Sequence, residues 1–117
     1  MKYMLLIYDD EKIWASMGEA ERQKMFGEYM QFSKDVTASG HYKAGAPLQP
    51  VSKATSVKIR DGKTLTTDGP FAETREQLAG YYLIEAKDLD DALAIAARIP
   101  EAVRGCIEVR PVMIYDN

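Results

Sequence analysis

Apolar positions along the chain fall into segments that are separated by turn-forming residues. Residues 2–8 are predicted as a strand, because they are almost all aliphatic or aromatic. A short irregular stretch follows. Ser16 with Glu19 three residues later fits a capping box, which predicts a helix over 16–39 that stops at Gly40. The apolar stripe of this helix follows i, i+4, i+7 spacing and comprises Met25, Tyr29, Phe32 and Val36.

The second part of the chain continues with shorter segments. The predicted elements are a strand over 41–48, a hairpin over 55–67 with its turn at Asp61-Gly62, a turn over 67–71, a strand over 80–86, a helix over 88–99 and a strand over 107–114. This order predicts an α+β fold, a ferredoxin-like split βαβ with an inserted β-hairpin, as a single domain over 1–117. A proline at position 111 indicates a bulge or an edge in the last strand.

Two strands are apolar on both faces, which is unusual for a sheet covered by helices on one side. In the first strand Leu5 and Leu6 point to opposite faces, and in the 80–86 strand Leu83 and Ile84 do the same. Strands of this kind are covered on both sides. We therefore expect a homodimer in which a second copy supplies the other cover; the alternative is that the inserted hairpin folds over that face.

Composition and charge narrow the function classes. The net charge of −3 and the absence of a basic cluster argue against nucleic-acid binding. The first apolar segment is too short to span a membrane and lacks the features of a secretory signal, so no membrane partner and a cytoplasmic location are expected. Cys106 is the single cysteine and is predicted to be a small buried hydrophobic side chain rather than a nucleophile. No nucleotide-binding or zinc motif occurs, so neither a cofactor nor a metal is predicted.

Asp68 and His41 are the candidate catalytic residues. Asp68 precedes Gly-Pro, so its carboxylate is either the acceptor of a turn or a general base. His41 is the single histidine and follows the predicted helix end, where it is either a proton carrier or an exposed residue at a helix terminus. The consecutive acidic residues 9–11 could hold a hard cation, but a solvated loop is the favoured interpretation.

Several aromatic and basic residues could line a pocket for a small molecule, with an arginine holding an anionic group. The same aromatics fit a core or interface role, and the arginines fit surface ion pairs. The candidate ligand-pocket residues are Tyr29, Pro70, Phe71, Tyr81 and Arg110.

The 67–84 segment, with Asp68-Gly69-Pro70-Phe71 near its start, resembles the signature of the YCII-related family in its DGPF-motif branch. Residues 1–8, 48–50 and 107–112 are similar to that branch as well, in the same order along the chain. The resemblance implies a dimeric α/β barrel of ferredoxin-like protomers. It also implies a regulatory role, since relatives of this branch accompany extracytoplasmic-function sigma factors.

A catalytic His–Asp pair has been suggested for the wider family, with the histidine on the first helix. Residues 16–39 contain no histidine, and Tyr29 or Met30 occupies the stripe. Two hypotheses follow. The first is a dimeric binding or regulatory module without catalysis. The alternative is a cofactor-independent isomerase, lyase or hydrolase that uses Asp68 and His41 as an acid/base pair.

Overall fold

The computed structural model describes residues 1–115, so residues 116–117 of the predicted domain lie outside the described residues. Short 3-10 turns occupy Val51–Lys53 and Pro100–Val103. The strands and helices, in chain order, are β1 (Lys2–Asp9), α1 (Glu11–Ser16), α2 (Glu19–Ala38), β2 (Tyr42–Pro47), β3 (Thr55–Arg60), β4 (Lys63–Asp68), β5 (Gln77–Glu85), α3 (Leu89–Ala96) and β6 (Cys106–Pro111).

Four strands form an antiparallel sheet in the order β2-β5-β1-β6. This order interleaves two βαβ units, since β5 lies between β1 and β2 while β1 lies between β5 and β6. The predicted α+β class is confirmed, and the strand order is that of the split βαβ plan. A bulge between Ile7 and Tyr8 shifts the register of β1 against β5.

The core lies between one face of this sheet and the helices α2 and α3. Alternation along β1 directs Tyr3, Leu5 and Ile7 to this face, and each is at most 5% exposed. Phe32 and Val36 of α2 pack on them, as the spacing of the α2 stripe predicts. The remaining buried members come from β5, α3 and the turn after it: Ile84, Ala86, Ala92, Ile95, Ala96 and Ile99.

Strands β3 and β4 form a separate two-stranded hairpin. All of their residues are exposed except the half-buried Ser56. A hairpin folded over the open face of the main sheet would bury one of its own faces. The hairpin therefore does not cover the second face of the main sheet, which was the alternative to a homodimer.

The first helical region differs from its prediction. Residues 11–16 form α1, where an irregular stretch was expected. The capping box at Ser16 is wrong: the Ser16 hydroxyl donates to the Ile13 carbonyl at the end of α1, and α2 begins after Gly18 without a side-chain cap. Asp10 caps α1 instead, because its carboxylate accepts from the Lys12 amide. None of the described helices has the length and hydropathy to cross a bilayer.

The last strand is shorter than predicted. It ends at Pro111 rather than at residue 114, and Met113 and Ile114 are largely exposed. The edge position expected from the proline is confirmed, because β6 has only β1 beside it in the sheet.

Candidate functional site

The face of the main sheet that is turned away from the helices is apolar and uncovered within the chain. Register places Met4 beside Leu83 and Leu6 beside Tyr81 on this face, and all four are half-buried. Ala44 of β2 extends the apolar area next to Leu83. We call this surface the open sheet face. It is the feature that the two-faced strands predicted, and no helix of the described chain lies on it.

A polar network borders the open sheet face along β6. The Tyr8 hydroxyl donates to Glu108 Oε1 at 3.2 Å, and Arg110 Nη2 donates to Glu108 Oε2 at 2.6 Å. The Arg110 guanidinium lowers the pKa of the Glu108 carboxyl, because its hydrogen bond stabilises the carboxylate. The network thus presents a fixed carboxylate and a cation at the edge of an apolar surface.

An open depression of about 860 Å³ continues from this network toward α1. Its volume lies within the range of small-molecule sites. Tyr8 and Ile13 give it an apolar wall, while Arg75 and Glu76 give it both charges. The other lining residues are Asp10, Thr74, Arg104, Cys106 and Glu108. The prediction that Cys106 is buried is wrong: it is exposed, at the start of the edge strand β6.

Behind Arg104 lies a pair of carboxyl groups. Glu101 is only 2% exposed, and the half-buried Asp9 at the end of β1 lies beside it. Burial raises the pKa of both carboxyls, and the neighbouring carboxylate raises that of Glu101 further. Arg104 opposes this shift with Nε at 3.5 Å from Glu101 Oε2.

Tyr29 and a small cavity adjoin the pair. Tyr29 of α2 lies near the Glu101 backbone amide, and burial raises the pKa of its hydroxyl, so it stays neutral. A cavity of about 10 Å³, close to the volume that one water occupies, adjoins both carboxyls beneath Ile13 and Trp14 of α1. The arrangement can hold a proton and release it, with Arg104 between the pair and the larger depression.

His41 lies at the start of β2, where both ring nitrogens have partners. Nδ1 is 2.7 Å from the Ser39 hydroxyl and Nε2 is 3.3 Å from Asp91 Oδ2. These residue types match a Ser-His-Asp triad, but the Ser39 hydroxyl also bonds the Val36 carbonyl at the end of α2. The contacts join the end of α2 to the beginning of α3, which is a structural arrangement at two helix ends.

Asp68 ends β4 at the base of the hairpin, opposite Thr55. Gly69 there adopts φ +109°, and its amide donates to the Ala54 carbonyl while the Ser56 hydroxyl donates to the Gly69 carbonyl. Within residues 1–115 the Asp68 carboxylate accepts no hydrogen bond and has no ion pair with His41. The pairing of Asp68 with His41 therefore stays a prediction.

The predicted ligand-pocket residues occupy three separate places. Tyr81 and Arg110 lie on or beside the open sheet face, while Tyr29 lies on the opposite, helix-covered side. Pro70 and Phe71 follow the hairpin, and Phe71 is 88% exposed. One chain alone does not bring these five residues into a common cavity among its described residues.

The acidic residues 9–11 point to different partners rather than to a common ion. Asp9 lies beside Glu101, Asp10 caps α1, and Glu11 accepts from the Val51 amide. No group of three metal-ligating side chains occurs in the described part of the chain. Sequence reasoning noticed Asp9 only as part of this run, and it missed Glu101 because a lone glutamate after Pro100 carries no pattern.

The fold and the site define a class: an α+β protein with helices on one face of an antiparallel sheet and an unoccupied apolar face opposite. Comparison with known proteins then gives the family. The YCII-related domain matches residues 1–115, and the chain belongs to this family. It is also 34% identical over 117 residues to an uncharacterized protein of Rhizobium meliloti (strain 1021), covering 98% of this chain and 94% of that protein.

Proposed function

We propose that the protein is a cytoplasmic homodimeric binding module whose two copies pack through their open sheet faces. The observation that carries this proposal is the apolar open sheet face, centred on Met4, Leu6, Tyr81 and Leu83, which the chain itself does not cover. Burial of apolar surface stabilises an association by about 25 cal/mol per Å². Two sheets packed in this way would form the dimeric α/β barrel that the sequence resemblance implies.

The ligand site of this module is the depression beside the open sheet face. A second copy on that face would cover the depression and exclude water from it, which strengthens polar contacts to a bound molecule. Arg75 supplies a cation and Glu108 a carboxylate around an apolar wall. These groups suit a small molecule that has a polar end and an apolar body.

The binding is proposed to serve regulation rather than catalysis. Residues 16–39 contain no histidine, although the wider family's suggested pair has one on its first helix, and both nitrogens of His41 already have partners at a helix end. The resemblance to proteins that accompany extracytoplasmic-function sigma factors supports a role as an accessory protein in such a system.

The experiment for the dimer is a charge placed on the open sheet face. Leu6→Asp should convert the dimer to a folded monomer, because a carboxylate on this face would have to be buried without a partner. Ala20→Asp is the matched control, since residue 20 is exposed in the first turn of α2. Sedimentation velocity gives the mass, and circular dichroism shows that the fold is retained.

The result that contradicts the dimer proposal is a Leu6→Asp variant that sediments like the wild type. Leu5→Asp separates the two faces of β1, because Leu5 is fully buried against the helices and its substitution should unfold the chain.

A second candidate function is a cofactor-independent enzyme, and the buried Asp9–Glu101 pair is the observation that favours it. Carboxyl groups with raised pKa values beside a depression are typical of acid/base sites. In this candidate the pair joins or replaces the predicted Asp68 and His41. The test is turnover: a molecule that co-purifies with the protein, identified by native mass spectrometry, should be converted by wild type and not by Glu101→Gln.

A further inference from the structure

The hairpin β3–β4 has one face that requires a cover. Register places Val57 opposite Thr66 and Ile59 opposite Thr64, so these four side chains share one face of the hairpin. Val57 is 63% exposed and Ile59 is 66% exposed. We call this surface the hairpin apolar face. The side chains between them along β3 point the other way.

The opposite face of the hairpin is suited to water. Lys58, Arg60 and Lys63 lie on it together with Leu65, and none of the three cations forms an ion pair within the described residues. The hairpin is thus amphipathic across its thickness. An isolated two-stranded hairpin is marginally stable in water, so a regular hairpin without buried residues needs support from a surface outside its own strands.

The area of the open sheet face also indicates that a stable homodimer needs a further contact region. Strands about 4.8 Å apart with a rise of about 3.3 Å per residue give four strands of six to nine residues a flat area of roughly 460 Å². A stable interface buries about 800 Å² per partner. The hairpin apolar face adds roughly 200 Å² by the same spacing. The open sheet face alone is therefore small for a stable dimer, and the hairpin reduces the deficit.

We infer that the hairpin is an arm that packs its apolar face, Val57 and Ile59, against the second copy of this chain. This inference rests on the proposed homodimer and adds a second contact region to it. The molecule measures 49 × 48 × 18 Å, so it is flat, and the hairpin pairs with no strand of its own main sheet. When two flat molecules stack on their open sheet faces, a hairpin that is separate from its own main sheet is available for contact with the partner.

The test compares two double variants that introduce the same residue on opposite faces of β3. Val57→Ser with Ile59→Ser removes the apolar contacts, while Lys58→Ser with Arg60→Ser changes only the cationic face. Because Val57 and Ile59 are exposed in the single chain, neither pair should prevent folding. Sedimentation equilibrium should show a dimer dissociation constant at least tenfold higher for the first pair and within about threefold of wild type for the second.

Hydrogen exchange supplies a second readout that does not depend on a variant. The amides of 55–68 should be protected in the wild-type dimer and should lose that protection on dilution to the monomer, while those of β1 and β5 keep theirs. A wild-type chain that is a monomer overturns the proposed function and this inference together. If the wild type is a dimer, two results overturn this inference alone. One is a dimer dissociation constant that Val57→Ser with Ile59→Ser leaves unchanged. The other is protection of the hairpin amides that persists after dilution to the monomer.

Discussion

At the carboxyl pair of Asp9 and Glu101, the position of one proton affects stability. Both groups have pKa values raised by burial in the folded chain, so folding favours their protonated forms. A raised pKa contributes stability that is fully present below the unfolded value, which is 4.5 for Glu101. That stability is lost as the pH rises through the folded pKa.

We predict that Glu101→Gln makes the free energy of unfolding less dependent on pH. Glutamine keeps a donor for Asp9 but has no charge to bury, so the decline in stability above pH 4.5 should be shallower than in wild type. Urea unfolding between pH 5 and pH 8 measures it. Glu108→Gln is the control, because the pKa of Glu108 is lowered and its removal should leave the decline in place. Equal slopes for wild type and Glu101→Gln would contradict the raised pKa of Glu101.

The role of Asp68 is tested by removing its charge and then its polar group. Its carboxylate bonds nothing within residues 1–115, because Gly69 and Ser56 hold the turn. We therefore predict that Asp68→Asn and Asp68→Ala both change stability by no more than about 0.5 kcal/mol in thermal unfolding. A loss of more than about 1 kcal/mol in Asp68→Ala, absent from Asp68→Asn, would restore the turn role.

The candidate site was only partly predictable from sequence because its parts are distant along the chain. Asp68 and His41 stand out through their neighbours or their rarity, whereas Asp9 and Glu101 meet only after β1 and the turn at 100–103 have packed together. Arg110 was found as a candidate cation, but its bond to Glu108 depends on the geometry of an edge strand. Pattern reasoning finds residue types, and packing decides which of them meet.

Among the elements, those with a strong apolar period were predicted well. The buried positions of α2 and the alternation of β1 followed their spacing, because each element buries one face in the core and leaves the other face outside it. The ends were less predictable. Ser16 lost its predicted role as a cap because the chain forms a separate short helix first. The last strand ended at Pro111, although the Val112 amide still donates to the Lys2 carbonyl of β1.

Gly105, between the 3-10 turn and β6, tests how closely two elements approach. A Cβ atom there would lie 2.0 Å from the Tyr8 carbonyl oxygen, so the backbone would have to move. We predict that Gly105→Ala costs about 2–3 kcal/mol of stability, in the range of overpacked cores. Gly27→Ala is the control within α2: a Cβ there meets nothing, and it should stabilise the helix by about 0.5–1 kcal/mol. Urea denaturation of both variants checks the pair, and a tolerated Gly105→Ala would contradict the close approach.

On the scale of the whole molecule, the chain is flat and has two apolar surfaces that lie outside its core. The open sheet face and the hairpin apolar face would both be liabilities in an isolated monomer, because exposed apolar area favours association. A second copy accounts for both. In that dimer Tyr81 and Arg110 would lie at the border between two copies, whereas Tyr29 would stay on the helix-covered side.

The most direct test of the proposed homodimer is the mass of the wild-type protein in solution at micromolar concentration. Sedimentation equilibrium, or light scattering coupled to size-exclusion chromatography, gives that mass independently of shape. A homodimer has twice the chain mass of 13.1 kDa, and this is the result that we predict. A mass of one chain at these concentrations would contradict it, because the open sheet face would then remain in water.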